Sequence, residues 1–432
     1  MNKFFSKDSV GDLRPINVLM CGSGEYTTGY VEGEVAAPDK RKGVVGLVLF
    51  DLKRRGFVGN LSMCGVNGTK FPNIRKHFKS AIEESYAEMD TSFISWPGNE
   101  VCRDEFAYKR AIDALRKGDG ITIYTPDDAH FNICLYAIQR GIHCIIAKPA
   151  VLKTSDHFKL IEAARKYNVL VMIEFHKRWD MIYADARQRI RLLGEFSYWY
   201  SYMSQPQSQL KTFKKWAGIS SDISFYLNSH HLDLHCWSMK EIAIPTHVWG
   251  FSANGVATNS CGCASSTEDT ITVSCQWKNL ATDSRGVAVY TASWIAPNNA
   301  EVHSQQRFSC LCRDGEVRVN QAHRGYEVTT HNHYATVNPF YMKYTPDESG
   351  YFNGQRGYGY IPFEQWIRAC QALNTKETTL EELNQFLPTI ENTVEVTAIL
   401  EAGRQSIDKD GERMDVQKLI EDSKREAKQE NL

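Results

Sequence analysis

The sequence predicts an α/β protein with an N-terminal doubly wound parallel sheet and a C-terminal α/β domain built on a second sheet. From residue 16 to residue 175, short apolar segments alternate with helical segments, as in strands joined by crossover helices. From Glu195 onward, segments of alternating polarity are rich in aromatic and β-branched residues, which is typical of half-exposed antiparallel strands. The change in pattern marks the boundary between two domains.

We place the first domain at residues 13–176, the second at residues 177–412 and a charged tail at residues 413–432. With 432 residues, 42% of them hydrophobic, the chain is long enough for two cores. The formal net charge of −1 favours neither nucleic acid nor a membrane surface, so we expect a small-molecule partner. The absence of a long apolar segment or signal-peptide core predicts a cytoplasmic protein. The charged residues from Asp422 onward are expected to fray.

The cysteines do not predict a metal site. Most of the twelve stand singly in apolar segments, as reduced core cysteines do, and no CxxC occurs. The CxC pairs at 261–263 and 310–312 lack a second ligand pair at zinc-finger spacing. Zinc held by His230, His231 and His235 is a minor alternative, since histidines four residues apart on a helix can bind metal.

The first apolar segment, INVLMC at residues 16–21, ends in Gly22-Ser23-Gly24. Glycines are needed where the backbone turns tightly and comes close enough to a pyrophosphate for main-chain N–H groups to hold it. We therefore predict that Gly22, Ser23 and Gly24 bind a dinucleotide.

The next apolar segment is open to two interpretations. Residues 43–55 end in cations followed by Gly56, which favours a helix after the glycine turn. The alternative is a strand over Val44 to Phe50, with Asp51 as a carboxylate that binds the cofactor ribose.

On the helical interpretation, the second strand is Asn60 to Val66, followed by Asn67, Thr69 and Lys70. A carboxylate at this position binds the ribose hydroxyls of NAD, whereas a hydroxyl and a cation accommodate the 2′-phosphate of NADP. The sequence thus favours NADP, with NAD as second choice.

Further predicted strands at residues 121–124, 143–147 and 169–175 also end in polar residues. The first leads to Thr125, Pro126, Asp127 and His130, and the second leads to Lys148. In an open α/β sheet, ligands bind at the carboxyl ends of the strands. We therefore expect these residues to line the cofactor site.

Five short motifs occur in a characteristic order: Gly22-x-Gly24, Thr125-Pro126, Ala147-Lys148-Pro149, His176-Lys177-Arg178 and His230-x-x-Asp233. Together they resemble the Gfo/Idh/MocA oxidoreductases, the family of glucose-fructose oxidoreductase and inositol dehydrogenase. The resemblance implies a Rossmann domain followed by an α/β domain with a large, mostly antiparallel open sheet. It also implies hydride transfer between a nicotinamide and a sugar, sugar acid or polyol, without a metal.

The resemblance places Lys148 beside the nicotinamide and the substrate, and makes His230 the candidate general acid/base. Asp233 lies one helical turn after His230 and could orient its ring. Tyr226 stands where many members have an aspartate, which leaves the proton relay open, although Tyr226 can still donate a hydrogen bond to a sugar oxygen. Arg178 is predicted to hold either a substrate oxygen or an acidic neighbour.

Two other functions remain open. The first is a catalytically inactive regulatory protein that binds a dinucleotide. Tyr226 and Ala147, which replace the family's usual aspartate and glutamate, are the features that favour it. A metal-dependent hydrolase is a more distant alternative. For either catalytic or regulatory function, the aromatic sheet of the second domain predicts a homodimer or homotetramer, because it leaves an apolar face that needs cover. The tyrosine-rich segment 331–360 could stack on a sugar ring.

Overall fold

A computed structural model describes residues 14–31, 33–35, 40–299, 304–322, 326–331 and 333–429. Strands and helices alternate through the first part of the chain. In order they are β1 (Ile16–Cys21), α1 (Glu25–Thr28), β2 (Tyr30–Val31), β3 (Glu34–Val35), α2 (Val44–Arg54), β4 (Val58–Cys64), α3 (Phe71–Phe78), β5 (Ile94–Trp96), α4 (Ala107–Asp113), β6 (Gly120–Ile123), α5 (His130–Ile138), β7 (His143–Ile146), α6 (Thr154–Tyr167) and β8 (Val171–Ile173).

The major strands of this region form a six-stranded sheet in the order β5-β4-β1-β6-β7-β8, and all pairs are parallel. Its central strands are almost wholly buried because helices cover both faces. The predicted doubly wound sheet is confirmed. All strands run the same way, so the residues that follow β1, β4, β6, β7 and β8 meet at one edge.

The segment after the glycine turn is a helix, as the favoured interpretation predicts. Helix α2 spans Val44–Arg54 and has Lys53 and Arg54 in its last turn. The alternative role for Asp51 is wrong: its buried carboxylate accepts hydrogen bonds from Arg54 at 2.7 Å and from the Tyr360 hydroxyl at 2.7 Å. Strand β4 begins two residues before the predicted strand. The sequence did not predict β5, α3 and α4, because β5 has three residues and neither helix has a long apolar stripe.

The second part of the chain contains a seven-stranded sheet. Its elements are α7 (Met181–Ile190), β9 (Phe196–Pro206), α8 (Leu210–Phe213), α9 (Ser229–Met239), β10 (Ala243–Asn254), α10 (Val256–Cys261), β11 (Glu268–Asn279), β12 (Arg285–Ala296), β13 (Gln305–Cys312), β14 (Gly315–Asn320), β15 (Glu327–Thr330), β16 (His333–Thr336), α11 (Ile361–Asn374), α12 (Leu380–Phe386), α13 (Val394–Asp408), β17 (Met414–Asp415) and α14 (Val416–Gln429).

The order in this sheet is β14-β13-β9-β12-β11-β10-β17. Within this sheet, β9 and β12 pair in parallel and the other described strand pairs are antiparallel. The predicted mostly antiparallel sheet is confirmed. Burial alternates along β11 and β12, as the alternating polarity of their sequences predicts. Helix α13 packs on β10 and β11 and α9 packs on β10, whereas among the described residues of the other face Tyr198, Val287 and Leu311 are substantially exposed, and we call this the open face.

Helix α11 returns to the first sheet. Its side chains Phe363, Trp366 and Cys370 are buried in the same apolar cluster as Val18 and Met20 of β1. This helix lies beyond the predicted boundary at residue 176, so the two sequence segments share one core. Helix α11 therefore covers one face of the first sheet, with Trp366 beside the start of β6.

The expectation that the charged end of the chain frays is wrong for residues 422–429, which belong to α14. Helix α14 packs against α6 and β10, with Val416, Ser423 and Ala427 buried on one side. These small and apolar side chains form a narrow stripe that the surrounding charges hide in the sequence. Among the helices of the described ranges, none is both long and apolar enough to cross a membrane.

We expect Trp366→Ala to destabilise the protein by about 3–5 kcal/mol, because it removes a large, fully buried side chain and leaves a cavity. The free energy of unfolding in urea measures this effect. Phe386→Ala, at a half-exposed aromatic residue of α12, is the control and should change stability by about 0.5 kcal/mol or less. Equal losses in the two variants would contradict the shared core.

Candidate active site

The carboxyl edge of the first sheet faces the start of α9, and a group of basic and aromatic side chains meets there. Lys148 follows β7, and His176 lies in the 3₁₀ turn after β8. Tyr226 and His230 come from the π-helical turn Ser224–Asn228 and from α9. A site assembled at strand ends and a helix start is the usual place for a ligand in an open α/β sheet.

The glycine turn after β1 has one crowded and one open position. Gly22 has φ of +107°, and a Cβ there would lie 2.1 Å from the Tyr124 carbonyl oxygen. Its N–H donates to the Cys64 carbonyl oxygen at 2.9 Å, which fixes the turn over the sheet edge. Gly24 is exposed, and a Cβ there would meet nothing within 4 Å. Gly22 is thus needed by the fold, whereas Gly24 leaves space for a ligand beside Ser23.

The predicted ribose-binding segment follows β4 as a tight polar turn. The Asn67 side-chain oxygen accepts hydrogen bonds from the Thr69 N–H at 2.9 Å and from its hydroxyl at 2.7 Å. Lys70 is exposed. Residues 65–70 contain no carboxylate, so the turn presents neutral donors and one cation.

The predicted cofactor-binding residues after β6 lie in two different environments, at the sheet edge and in the core. Thr125 and Pro126 lead into a 3₁₀ turn at Asp127–Ala129, at the sheet edge. His130 is fully buried, and its ring nitrogens lie 3.0 Å from the Pro149 carbonyl oxygen and 3.1 Å from that of Thr125. Its ring therefore ties the loops after β6 and β7 together and is committed to backbone groups.

Lys148 bridges the two domains. Its ammonium donates to the Tyr226 carbonyl oxygen and lies 4.1 Å from the centre of the Tyr226 ring. Burial lowers the pKa of Lys148 to about 8, and the nearby Asp127 and Glu174 carboxylates partly oppose this shift. The amine can therefore take up or release a proton near neutral pH.

His230 is 7% exposed, and its Nδ1 has no hydrogen-bond partner in the described part of the chain. Burial holds the pKa of His230 well below its usual range, and the neighbouring charges of Lys148, His176 and Lys177 act in the same direction. The ring is accordingly neutral at physiological pH, which is the state that can accept a proton.

Asp233 does not take its predicted place beside the His230 ring. Its carboxylate forms a bidentate ion pair with Arg178, with N–O distances of 2.9 and 2.6 Å. The guanidinium comes from the turn after β8 and matches the two carboxylate oxygens as a planar fork. The geometry favours the acidic-neighbour alternative for Arg178, and it makes the pair a buried link between the turn after β8 and α9.

Glu174 and His176, which were not predicted as site residues from the sequence, lie beside His230. Glu174 is buried and accepts a hydrogen bond from His176 Nδ1 at 2.9 Å. The His176 ring stacks on Tyr358 and lies edge-on to Tyr341, both with centroids 5.7 Å away. His176 belongs to a motif of the resemblance, and both tyrosines lie in the predicted aromatic segment 331–360. The contact of His176 with these two tyrosines is visible only in the three-dimensional structure.

Over the described ranges, no group of three or more histidine, cysteine, aspartate or glutamate side chains has an arrangement that could hold a metal ion. His231 and His235 instead face hydroxyls: His231 Nε2 lies 3.2 Å from the Tyr183 oxygen, and His235 Nδ1 lies 2.5 Å from that of Tyr290. The alternative zinc site on these histidines has no support in the structure.

Comparison with known proteins places the first domain in a family. Residues 16–175 match the oxidoreductase family with an NAD-binding Rossmann fold. An uncharacterized oxidoreductase of Escherichia coli is 27% identical over 118 residues, which are 27% of this chain and 34% of that protein. UDP-N-acetylglucosamine 3-dehydrogenase of Acidithiobacillus ferrooxidans is 36% identical over 69 residues, 16% of this chain and 22% of that protein. The matched segments thus span about a third or less of these relatives.

The structural similarity extends over nearly the whole chain. An inositol dehydrogenase homologue of Azotobacter vinelandii, solved with NADH and myo-inositol, superposes with a TM-score of 0.63 at 15% identity. The match covers 93% of this chain and 98% of that one. The two-domain fold is therefore shared.

The same substitution at the two glycines of the turn should have very different effects on the free energy of unfolding. Gly22→Ala should lower stability by several kcal/mol, because its Cβ would overlap a backbone oxygen and its φ is positive. Gly24→Ala should change stability by about 0.5 kcal/mol or less. Urea unfolding of both variants tests this contrast, and equal stability would show that the turn is not built as described.

Proposed function

We propose that the protein transfers a hydride between a nicotinamide and a hydroxyl or carbonyl carbon of a sugar, sugar acid or polyol, and the match of residues 16–175 to the oxidoreductase family with an NAD-binding Rossmann fold supports this. One observation carries the proposal. A lysine with a pKa of about 8 and a neutral histidine lie together at the sheet edge that holds the glycine turn. These groups suit an alcohol that must lose its proton as its hydride leaves.

The residues at the sheet edge fit a dinucleotide. The open position at Gly24 lets a pyrophosphate approach the backbone, and the buried Thr125 hydroxyl has no partner in the described part of the chain. A nicotinamide bound here would accept or supply the hydride. Lys148 and His230 would bind the reacting oxygen and hold its proton, and Tyr226 would position the lysine through its carbonyl and ring.

The turn after β4 supports NADP as the first choice and NAD as the second. Thr69 and Lys70 offer a hydroxyl and a cation where a 2′-phosphate would lie, and the turn lacks the carboxylate that binds a free ribose. The inositol dehydrogenase homologue was solved with NADH, so the shared fold does not by itself favour NADP. The proposed cofactor preference therefore depends on this turn.

Lys70→Glu should reverse the cofactor preference. We expect it to weaken NADPH binding by about tenfold or more, because it replaces an attraction to the 2′-phosphate with a repulsion, and to leave NADH affinity similar. Fluorescence titration with both reduced cofactors measures the ratio of dissociation constants. A wild-type preference for NADH, unchanged in the variant, would refute NADP as first choice.

Lys148→Met should lower turnover by about 100-fold or more, because it removes the group that exchanges the substrate proton. In the wild type, kcat/KM for alcohol oxidation should rise with pH and level off above about 8, since the neutral amine is the active form. The assay follows nicotinamide absorbance with a panel of sugars, sugar acids and polyols.

The matched control is Lys153→Met, at an exposed lysine just before α6, which should keep wild-type turnover. His230→Asn should lose activity like Lys148→Met. Full activity in both site variants would contradict the assignment. Tight cofactor binding without oxidation of any substrate would instead favour the regulatory alternative that Tyr226 and Ala147 leave open.

We also propose that the open face of the second sheet joins two copies of the chain. Tyr198 of β9 is flanked by Val287 of β12 and Leu311 of β13, and these side chains are 40%, 46% and 42% exposed. An apolar patch that continues across three strands is typical of a subunit interface. A second copy can cover it with the same patch.

Tyr198→Glu should weaken self-association by about tenfold or more, because it buries an unpaired charge in that interface. Light scattering coupled to size-exclusion chromatography at several concentrations measures the change. Tyr167→Glu, at a 37% exposed tyrosine of α6, is the control and should leave the oligomer intact. A monomeric wild type would contradict the proposal.

A further inference from the structure

Glu174 is a buried carboxylate at the cofactor edge of the first sheet. It follows β8 directly, and its N–H donates to the Ile146 carbonyl oxygen at 2.8 Å, which places it beside the end of β7. Its side chain is 4% exposed, and within the described residues only His176 lies at ion-pair distance. Burial of a carboxylate with a single partner is costly, so its presence calls for a role.

The hydrogen bond to Glu174 sets the proton positions of His176. Nδ1 lies 2.9 Å from the Glu174 oxygen, and because an ionised carboxylate only accepts, Nδ1 carries a proton. Nε2, on the other side of the ring, is then the nitrogen that can gain or lose a proton. Contacts with Tyr341 and Tyr358 hold the ring in place.

His176 packs against His230 at this site. Its ring centroid lies 5.1 Å from that of His230, at an interplanar angle of 62°. His230 faces cations, and His231 contacts the neutral Tyr183 hydroxyl. Among these histidines of the described chain, only His176 has a carboxylate partner, and that partner can stabilise a positive charge that reaches the His176 ring.

We propose that Glu174 and His176 form a proton-transfer pair beside Lys148 and His230. The proposal rests on the hydride-transfer function proposed above. In alcohol oxidation, the C–H bond breaks and its hydride goes to the nicotinamide, while the O–H proton goes to the neutral amine of Lys148 and from there to His230. That proton passes to Nε2 of His176, which becomes an imidazolium paired with ionised Glu174, and is then released to solvent. Carbonyl reduction runs through the same steps in reverse.

Other charged and titratable groups surround the pair on every element packed against it. They are Lys177 in the same turn, Lys148 after β7, His230 on α9, Tyr26 on α1, Tyr124 after β6, and Tyr341 and Tyr358 before α11. Asp127 and Glu174 both act on Lys148, and Glu174 is the carboxylate that lies within hydrogen-bond distance of His176.

Glu174→Gln tests the role of the charge, because the amide oxygen can still accept from His176. We expect kcat to fall by about tenfold or more, with KM and the cofactor dissociation constant within about twofold of wild type. The solvent deuterium isotope effect on kcat should increase, and the pH at half-maximal kcat should move downward, since the lost charge favoured protonated neighbours. A structural role alone would not move these two readouts.

Glu395→Gln is the matched control. Glu395, on α13, is a second carboxyl group removed from water, and burial raises its pKa to about 7. It lies near Cys236 and Cys275 rather than in the site. This variant should keep the wild-type kcat and isotope effect. The comparison separates the loss of any buried carboxylate from the loss of the one beside His176.

His176→Ala provides an independent measurement. Added imidazole should restore part of its kcat, since the small base can occupy the space between the tyrosines and exchange the proton. If the wild type is active but Glu174→Gln is unaffected, or if imidazole does not rescue His176→Ala, the proton-transfer pair is refuted. The proposed function stands in either case. Absence of hydride transfer in the wild type would remove the proposed function and the pair with it.

Discussion

The contact between the Lys148 ammonium and the backbone of Tyr226 is the interaction on which the site depends. It joins the end of β7, in the first domain, to the turn that opens α9, in the second. A backbone carbonyl and an aromatic ring stabilise the ammonium without neutralising it. Burial can therefore lower the lysine pKa toward neutrality, which a direct carboxylate partner would prevent.

The same juxtaposition of domains sets the protonation state of His230. Lys148 and Lys177 approach it from the first domain and the turn after β8, and burial removes the water that would stabilise an imidazolium. The site holds two basic groups in forms that can exchange protons, and the carboxylates nearby are arranged around them. Asp233 is held by Arg178 and takes no part in this exchange, whereas Glu174 is paired with a histidine.

Sequence reasoning succeeded where the signal was local. Apolar segments and glycines between residues 16 and 175 correctly predicted a parallel sheet with polar residues at its carboxyl edge. The cations at the end of α2 correctly favoured a helix over a strand. Weak local signals were missed or misjudged, as for the three-residue strand β5 and for α14, whose buried stripe is hidden among charged residues.

The sequence by itself determined the alternation of strands and helices, the position of the glycine turn and which residues follow the strands, because these depend on neighbouring residues and on backbone periodicity. Only the tertiary structure decided which charged side chains pair. Asp233 lies closer in the sequence to His230 but binds Arg178, 55 positions away, and Glu174 binds His176 under tyrosines from a distant segment. The choice of partner depends on how separate elements approach in space and on the cost of leaving a buried charge unpaired, and neither is recorded in a local pattern.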